Sequence, residues 1–129
     1  MDLKRLDASK IEKVVYDYLI ANSVADFIIP GHRNMSVNRP EMVCCNVPSQ
    51  ITDSNAIGDT MMRIEIFVKQ IRGYKNTTAL TTIHDKIVDL LPVTIGNYSF
   101  EYMDELPGID GAGYDFIFIN TNVMIFAEV

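Results

Sequence analysis

Met61-Met62-Arg63-Ile64-Glu65-Ile66-Phe67-Val68-Lys69-Gln70-Ile71 is the stretch on which the fold turns. Successive side chains of a strand point to opposite faces. Met62, Ile64, Ile66 and Val68 therefore share one face, and Arg63, Glu65 and Lys69 share the other, with Phe67 and Ile71 among the charges. The pattern predicts a strand over 61–71 with one buried face and one mixed face.

Working outward, Gly73 breaks the alternation and a helical period takes over. Leu80, Ile83, Ile87, Leu90 and Leu91 form one apolar stripe, so a helix is expected over 77–91, stopped by Pro92. Upstream, Ile11, Val14, Val15, Tyr18 and Leu19 repeat at the same spacing and predict a helix over 9–22. Ser9-Lys10-Ile11-Glu12 fits a capping box at its start. Short apolar runs at 27–29 and 41–47 read as strands, the first closed by Pro30-Gly31 and the second opened by Pro40. Residues 32–40 and 48–60 are polar and read as loops. Tyr98, Phe100 and Tyr102 mark a strand over 97–103, and Tyr114, Phe116, Phe118 and the run from Val123 to Phe126 mark a last one. Asn120-Thr121-Asn122 leaves open a bend there, with one long strand preferred.

The expected fold is α+β, in the order α-β-β-β-α-β-β, as one domain over 1–129. Short links favour antiparallel neighbours. One-sided helices belong on one face of the sheet, here an antiparallel sheet of about five strands.

A chain of 129 residues buries enough surface to hold a core unaided. Its net charge of −6 argues against a broad basic face for nucleic acid. No window is long and apolar enough for a membrane helix, and the charged start, Met1-Asp2-Leu3-Lys4-Arg5, leads into no signal-peptide core. Cys44 and Cys45 are adjacent on a strand and face opposite ways, so both are expected reduced, as in a cytoplasm.

Candidate chemistry is thin. His32, His84, Cys44 and Cys45 lack the spacing of a metal site. Cys44 or Cys45 with His32 would be a nucleophile with its base, but nothing supplies a third group to orient it. Pro107-Gly108-Ile109-Asp110-Gly111-Ala112-Gly113 has no Lys-Ser/Thr and opens a strand, so it reads as a hairpin-type loop and not a phosphate cradle. Asp104, Glu105, Asp110 and Asp115 bracket that loop and suit strand ends. Glu65 and Lys69 share a strand face, but at four residues apart they do not match a carboxylate–lysine nuclease pair. Phe67 and Ile71, with Met61, Tyr74 and Met124, are the apolar groups that a subunit interface would use.

The order of elements resembles the tail-terminator (tail-completion, head–tail joining) proteins of long-tailed bacteriophages and prophages. The matching features are the helix Ile11 to Leu19, the proline-started strand Asn38-Arg39-Pro40-Glu41-Met42-Val43 and the alternating strand Met62 to Val68. Gly73-Tyr74 follows, then a helix ending Leu90-Leu91-Pro92 and the aromatic strands Tyr98-Ser99-Phe100 and Tyr114-Asp115-Phe116. The loop over 48–60 is longer than that pattern, and the ending from Val123 is more apolar.

The resemblance implies a structural protein that caps the tail tube as a ring, commonly of six copies, and offers a docking face to the head connector. It implies no catalysis, no cofactor and no metal. Partners would be other copies, the tail-tube protein and the connector, in the virion and, during assembly, in the host cytoplasm. The expected interface draws on loops 32–39 and 48–59, with His32, Arg33, Arg39 and Asp59, together with Phe67, Ile71 and Tyr74. The competing reading is a small enzyme or ligand-binding domain that uses Cys44 or Cys45 with His32, or the acidic segment from Asp104 to Asp115.

Overall fold

The computed structural model describes residues 8–49, 51–54 and 57–126. Helices α1 (Ala8–Ala21) and α2 (Thr77–Val88) accompany strands β1 (Ile28–Pro30), β2 (Glu41–Asn46), β3 (Thr52–Ser54), β4 (Ile57–Lys69), β5 (Val93–Ile95), β6 (Tyr98–Ile109) and β7 (Tyr114–Phe126). The strands form one sheet along the path β1-β2-β4-β7-β6-β5, with β3 pairing β4 off that path.

The α+β class is as expected, but the sheet is mixed and not antiparallel, and its continuous path has six strands in place of five. The parallel pair is β1 with β2, register Ile28↔Val43. A parallel neighbour needs a crossover long enough to return the chain to its starting end. Residues 31–40 supply it without a helix, held at the two ends of the pair by Val43 N–H to Phe27 O, 2.9 Å, and Gly31 N–H to Cys45 O, 2.7 Å.

The other differences are local. β4 begins at Ile57, not Met61, because β7 runs beside it throughout, from Ile57↔Phe126 to Lys69↔Tyr114. Part of the expected loop 48–60 is thus a hairpin of β3 and β4; Gln50, Asn55 and Ala56 of that loop lie outside the described residues. β5 pairs β6 across Gly96-Asn97, where Gly96 takes φ 59°. β6 extends well past Met103, through a bulge between Tyr102 and Asp104 and through Pro107, into what reads as a glycine loop. Proline is tolerated there because this part of β6 is an outer strand. β7 is one strand. Its polar centre is used: Thr121 Oγ1 donates to Met62 O at 3.0 Å, and Asn120 Oδ1 accepts from Arg63 Nε at 3.1 Å.

Ser9 lies inside α1 and is not its cap; the residues before Ala8 lie outside the described ones. Asn76 caps α2, its side chain accepting from Ala79 N–H at 3.3 Å. α2 ends at Val88, and Leu90 and Leu91 pack on the core from beyond the helix.

Both helices cover the same face. Ile11, Val15 and Leu19 of α1 and Leu80, Ile83 and Ile87 of α2 join one cluster with Met62, Ile64, Ile66 and Val68 of β4. A void of about 20 Å³ between the helices is lined almost wholly by apolar side chains, too small and too dry for a ligand.

The opposite face, read from the sequence as mixed, is covered in part as well. Met42, Cys44, Phe67 and Tyr114 form a second cluster there, flanked by Phe27, Ile29, Val37, Phe116 and Phe118. Phe116 stacks on Phe118 at 4.3 Å and lies directly over Gly108, where a Cβ would collide with its ring. Crossover residue Arg33 closes this cluster. Its guanidinium sits 4.2 Å from the Tyr114 ring centroid and 5.0 Å from that of Phe67, and it pairs with Asp110. Its side chain is only 4% exposed. Tyr114 Oη donates to Arg39 O at 2.9 Å, a second tie between crossover and sheet.

Arg33→Ala removes an ion-pair partner and two ring contacts at once. Losing one member of a buried pair typically costs 3–5 kcal/mol, and Asp110 keeps some access to water, so a loss of about 3 kcal/mol is expected. Urea unfolding followed by circular dichroism measures it. A loss below about 1 kcal/mol would mean that Arg33 does not hold the crossover down.

Candidate functional site

Cys44 and Cys45 point to opposite faces of β2 and are fully buried. Burial pushes the Cys44 thiol up to about 12, with the Glu65 carboxylate adding to it and Arg33 opposing. Burial does the same to Cys45, also to about 12, helped by Glu12. Both are neutral thiols at physiological pH, and a thiolate is the nucleophile that cysteine chemistry needs. Cys45 Sγ sits 3.6 Å from Glu12 O under α1.

Glu65 is buried on the second face, opposite Cys44 on β2 and Phe118 on β7. Burial raises its pKa, against the Asn46 amide, Arg63 and His32, which favour the charged form. The Asn46 side-chain nitrogen and oxygen nevertheless make no hydrogen bond of normal geometry. Lys69 is exposed four residues further on, roughly 13 Å along the strand. Glu65 and Lys69 therefore do not meet.

The four carboxylates of the acidic segment are dispersed. Asp110 holds Arg33 and accepts from Ala112 N–H (2.9 Å) and Tyr114 N–H (3.0 Å), so it builds the β6–β7 turn. Asp104 accepts from Asn120 Nδ2 at 2.7 Å, in line with Arg63 on the second face. Glu105 lies on the helix-bearing face, where it meets His84 Nε2 of α2 at 2.8 Å and accepts from Tyr102 Oη at 2.7 Å. Asp115 is buried with Oδ2 unpartnered, and it lines an open hollow of about 480 Å³ together with Gln70, Tyr74, Lys75 and Ile109. Among the described residues no three His, Cys, Asp or Glu side chains converge on a metal position.

His84 bridges Asp85 (Nδ1, 2.9 Å) and Glu105. Burial is the largest single influence and opposes its protonation, but the hydrogen bonds to Glu105 and Asp85 together outweigh it, and the net pKa is raised. The same contacts, His84 first and Tyr102 second, lower that of Glu105.

Of the expected interface residues, His32, Arg39, Asp59, Ile71 and Tyr74 are exposed. Arg39 lies 5.0 Å from the Phe27 ring centroid at the start of the crossover's return. The Arg33 side chain and Phe67 are buried at the second cluster instead. Besides Ile20, Met35 and the paired Ile57 and Phe126, the exposed large apolar side chains fall into two groupings. One is the turn joining β4 to α2, with Ile71 and Tyr74, the latter 78% exposed. The other is the outer edge of β6, with Tyr102, Met103, Leu106 and Ile109, the last 70% exposed. The sequence reading missed the second grouping because Pro107 and Gly108 disguised the strand as a loop.

Compared with known proteins, the chain matches no protein-family model and no curated protein.

Native protein at pH 8 is expected to leave both thiols unmodified by a maleimide over minutes, and denatured protein to react at both. Mass spectrometry counts the adducts, and rapid native labelling of Cys44 would revive the nucleophile reading. His84→Ala tests the bridge to β6. A raised histidine pKa contributes stability that is fully present below the unfolded value of 6.5 and fades as pH climbs through the higher folded value. The depressed Glu105 contributes above its ordinary carboxylate range and loses this as pH falls. The gap in urea midpoint between wild type and variant should thus be widest near pH 5.5–6 and narrow by pH 8.5; an equal gap at both would count against the bridge.

Proposed function

We propose that the protein is a structural subunit of a long-tailed phage particle, one that caps the tail tube as a ring of copies and joins the tail to the head connector. It works by contact and not by turnover. The observation that carries the reading is where the exposed large apolar side chains lie. Ile71, Tyr74, Met103, Leu106 and Ile109 sit on the rim of an α+β domain whose two sheet faces are already covered, one by helices and part of the other by a crossover. A rim of this kind suits edge-to-edge association of subunits. The tail-terminator part of the reading rests on the resemblance of the sequence pattern to that family. Six weak contacts around a ring, or between a ring and a tube, sum to a firm joint without any single strong one.

A second reading has one observation in its favour. The hollow, where Asp115 Oδ2 is buried without a hydrogen-bond partner, has the size of a small-ligand site and would suit a cationic group. Its shallow, open form is what makes it secondary.

Sedimentation velocity across a hundredfold range of concentration tests the assembly reading, alongside co-pelleting with purified tail tubes. Concentration-dependent oligomers or binding to tubes is the expected result. A monomer at every concentration that also ignores tubes overturns the proposal.

A further inference from the structure

We infer that the basic turn between β4 and α2 of one copy docks on the acidic outer edge of β6 of the next copy. The inference rests on the self-assembly reading and specifies its contact surfaces.

The turn carries Lys69, Arg72 and Lys75 and no acid between them. No ion pair among the described residues engages any of the three. It is also preformed. Arg72 and Gly73 have positive φ, 52° and 79°, as the two centre residues of a tight hairpin turn do. Ile71 and Tyr74 close it by exchanging backbone hydrogen bonds of 2.9 Å in both directions. Two apolar side chains are thus held out in a fixed geometry amid positive charge, so little ordering remains to be done on docking.

The receiving surface has the opposite charge. β5 pairs only Tyr98, Ser99 and Phe100 of β6. From Glu101 to Ile109 the side of β6 away from β7 has no strand partner among the described residues. Glu101 and Asp104 stand on the second face of this stretch with Leu106, Met103 stands at the bulge, and Glu105 stands on the helix-bearing face, where it already meets His84; all are exposed. The bulge after Tyr102 and the missing N–H of Pro107 hinder a foreign strand from zipping onto this edge. What it offers is side chains: apolar groups set among carboxylates.

The two surfaces do not satisfy each other within one molecule. Tyr74 and Lys75 line the same hollow as Ile109, and Glu105, the nearest of the three acids, stands four residues further along β6, roughly 13 Å away. Like-with-like contacts between copies, turn on turn or acid on acid, would oppose equal charges. Only the unlike contact brings charge and apolar surface into register together. An unlike contact is heterologous, and repeated with a closing rotation it makes a ring.

The test uses two charge-reversed full chains, Arg72→Glu with Lys75→Glu, and Glu101→Lys with Asp104→Lys, each checked for native circular dichroism. Tyr74→Ala is a further probe of the turn that leaves charge alone. Each double variant is expected to self-associate about tenfold more weakly or worse by sedimentation velocity, and an equimolar mixture of the two to recover assembly, since each then meets its charge complement. Tyr74→Ala should weaken association as well. Variants that assemble like the wild type, or a mixture that recovers nothing, overturn this inference and leave the self-assembly reading standing. A wild type that never self-associates overturns this inference, and one that also ignores tail tubes overturns both.

Discussion

The central strand β4 is apolar on one side and carries Phe67 on the other, and the covering of both sides shapes the whole molecule. Its Met62, Ile64, Ile66 and Val68 lie under the two helices, while Phe67 on the reverse side needs a second cover. No third helix exists among the described residues to provide it. The chain meets the need with the link between β1 and β2, drawn across the sheet and fastened by an arginine set between two aromatic rings and a carboxylate. The parallel pairing of β1 and β2, the turn organised by Asp110 and the aromatic stack on β7 all follow from covering that side with a link and not a helix.

How much of this could be read beforehand varies with the element, for physical reasons. Period two in β4 and the helical stripes of both helices depend only on neighbours in the chain, and both were legible. β7 was preferred as one strand, because aromatic and β-branched residues flank its polar centre, but Asn120-Thr121-Asn122 left a bend or a hairpin open. β3 and the first part of β4 are polar, and they are strand only because β7 continues alongside them. Val93-Thr94-Ile95 before Gly96-Asn97 did carry a hairpin signal, and a two-residue turn with positive φ should have been read from it. The parallel crossover was not legible, because nothing in a polar link announces the surface that it will cross.

The candidate contact residues divide in the same way. Tyr74 and Ile71 are exposed beside a glycine, in a turn that local sequence already marked. Phe67 looked equally available, since alternation tells which residues share a face but not what else lies on it. Arg33 was expected at an interface from a polar loop and proved to be an internal fastening. Charge patterning was similarly local: the acids counted together around the β6–β7 turn proved to serve different ends, in turn building, strand pairing and a tie to α2, because a bulge and the alternation of β6 send them to different sides.

The adjacent sulfurs of Cys44 and Cys45 give the two coverings separate witnesses. One sulfur lies beneath the crossover and the other beneath α1, although a single peptide bond separates their residues. Lifting the crossover would bare the first and leave the second shielded, and detaching the helix would do the reverse. The protein therefore holds, without any engineered label, a pair of internal clocks that time the opening of its front and its back independently.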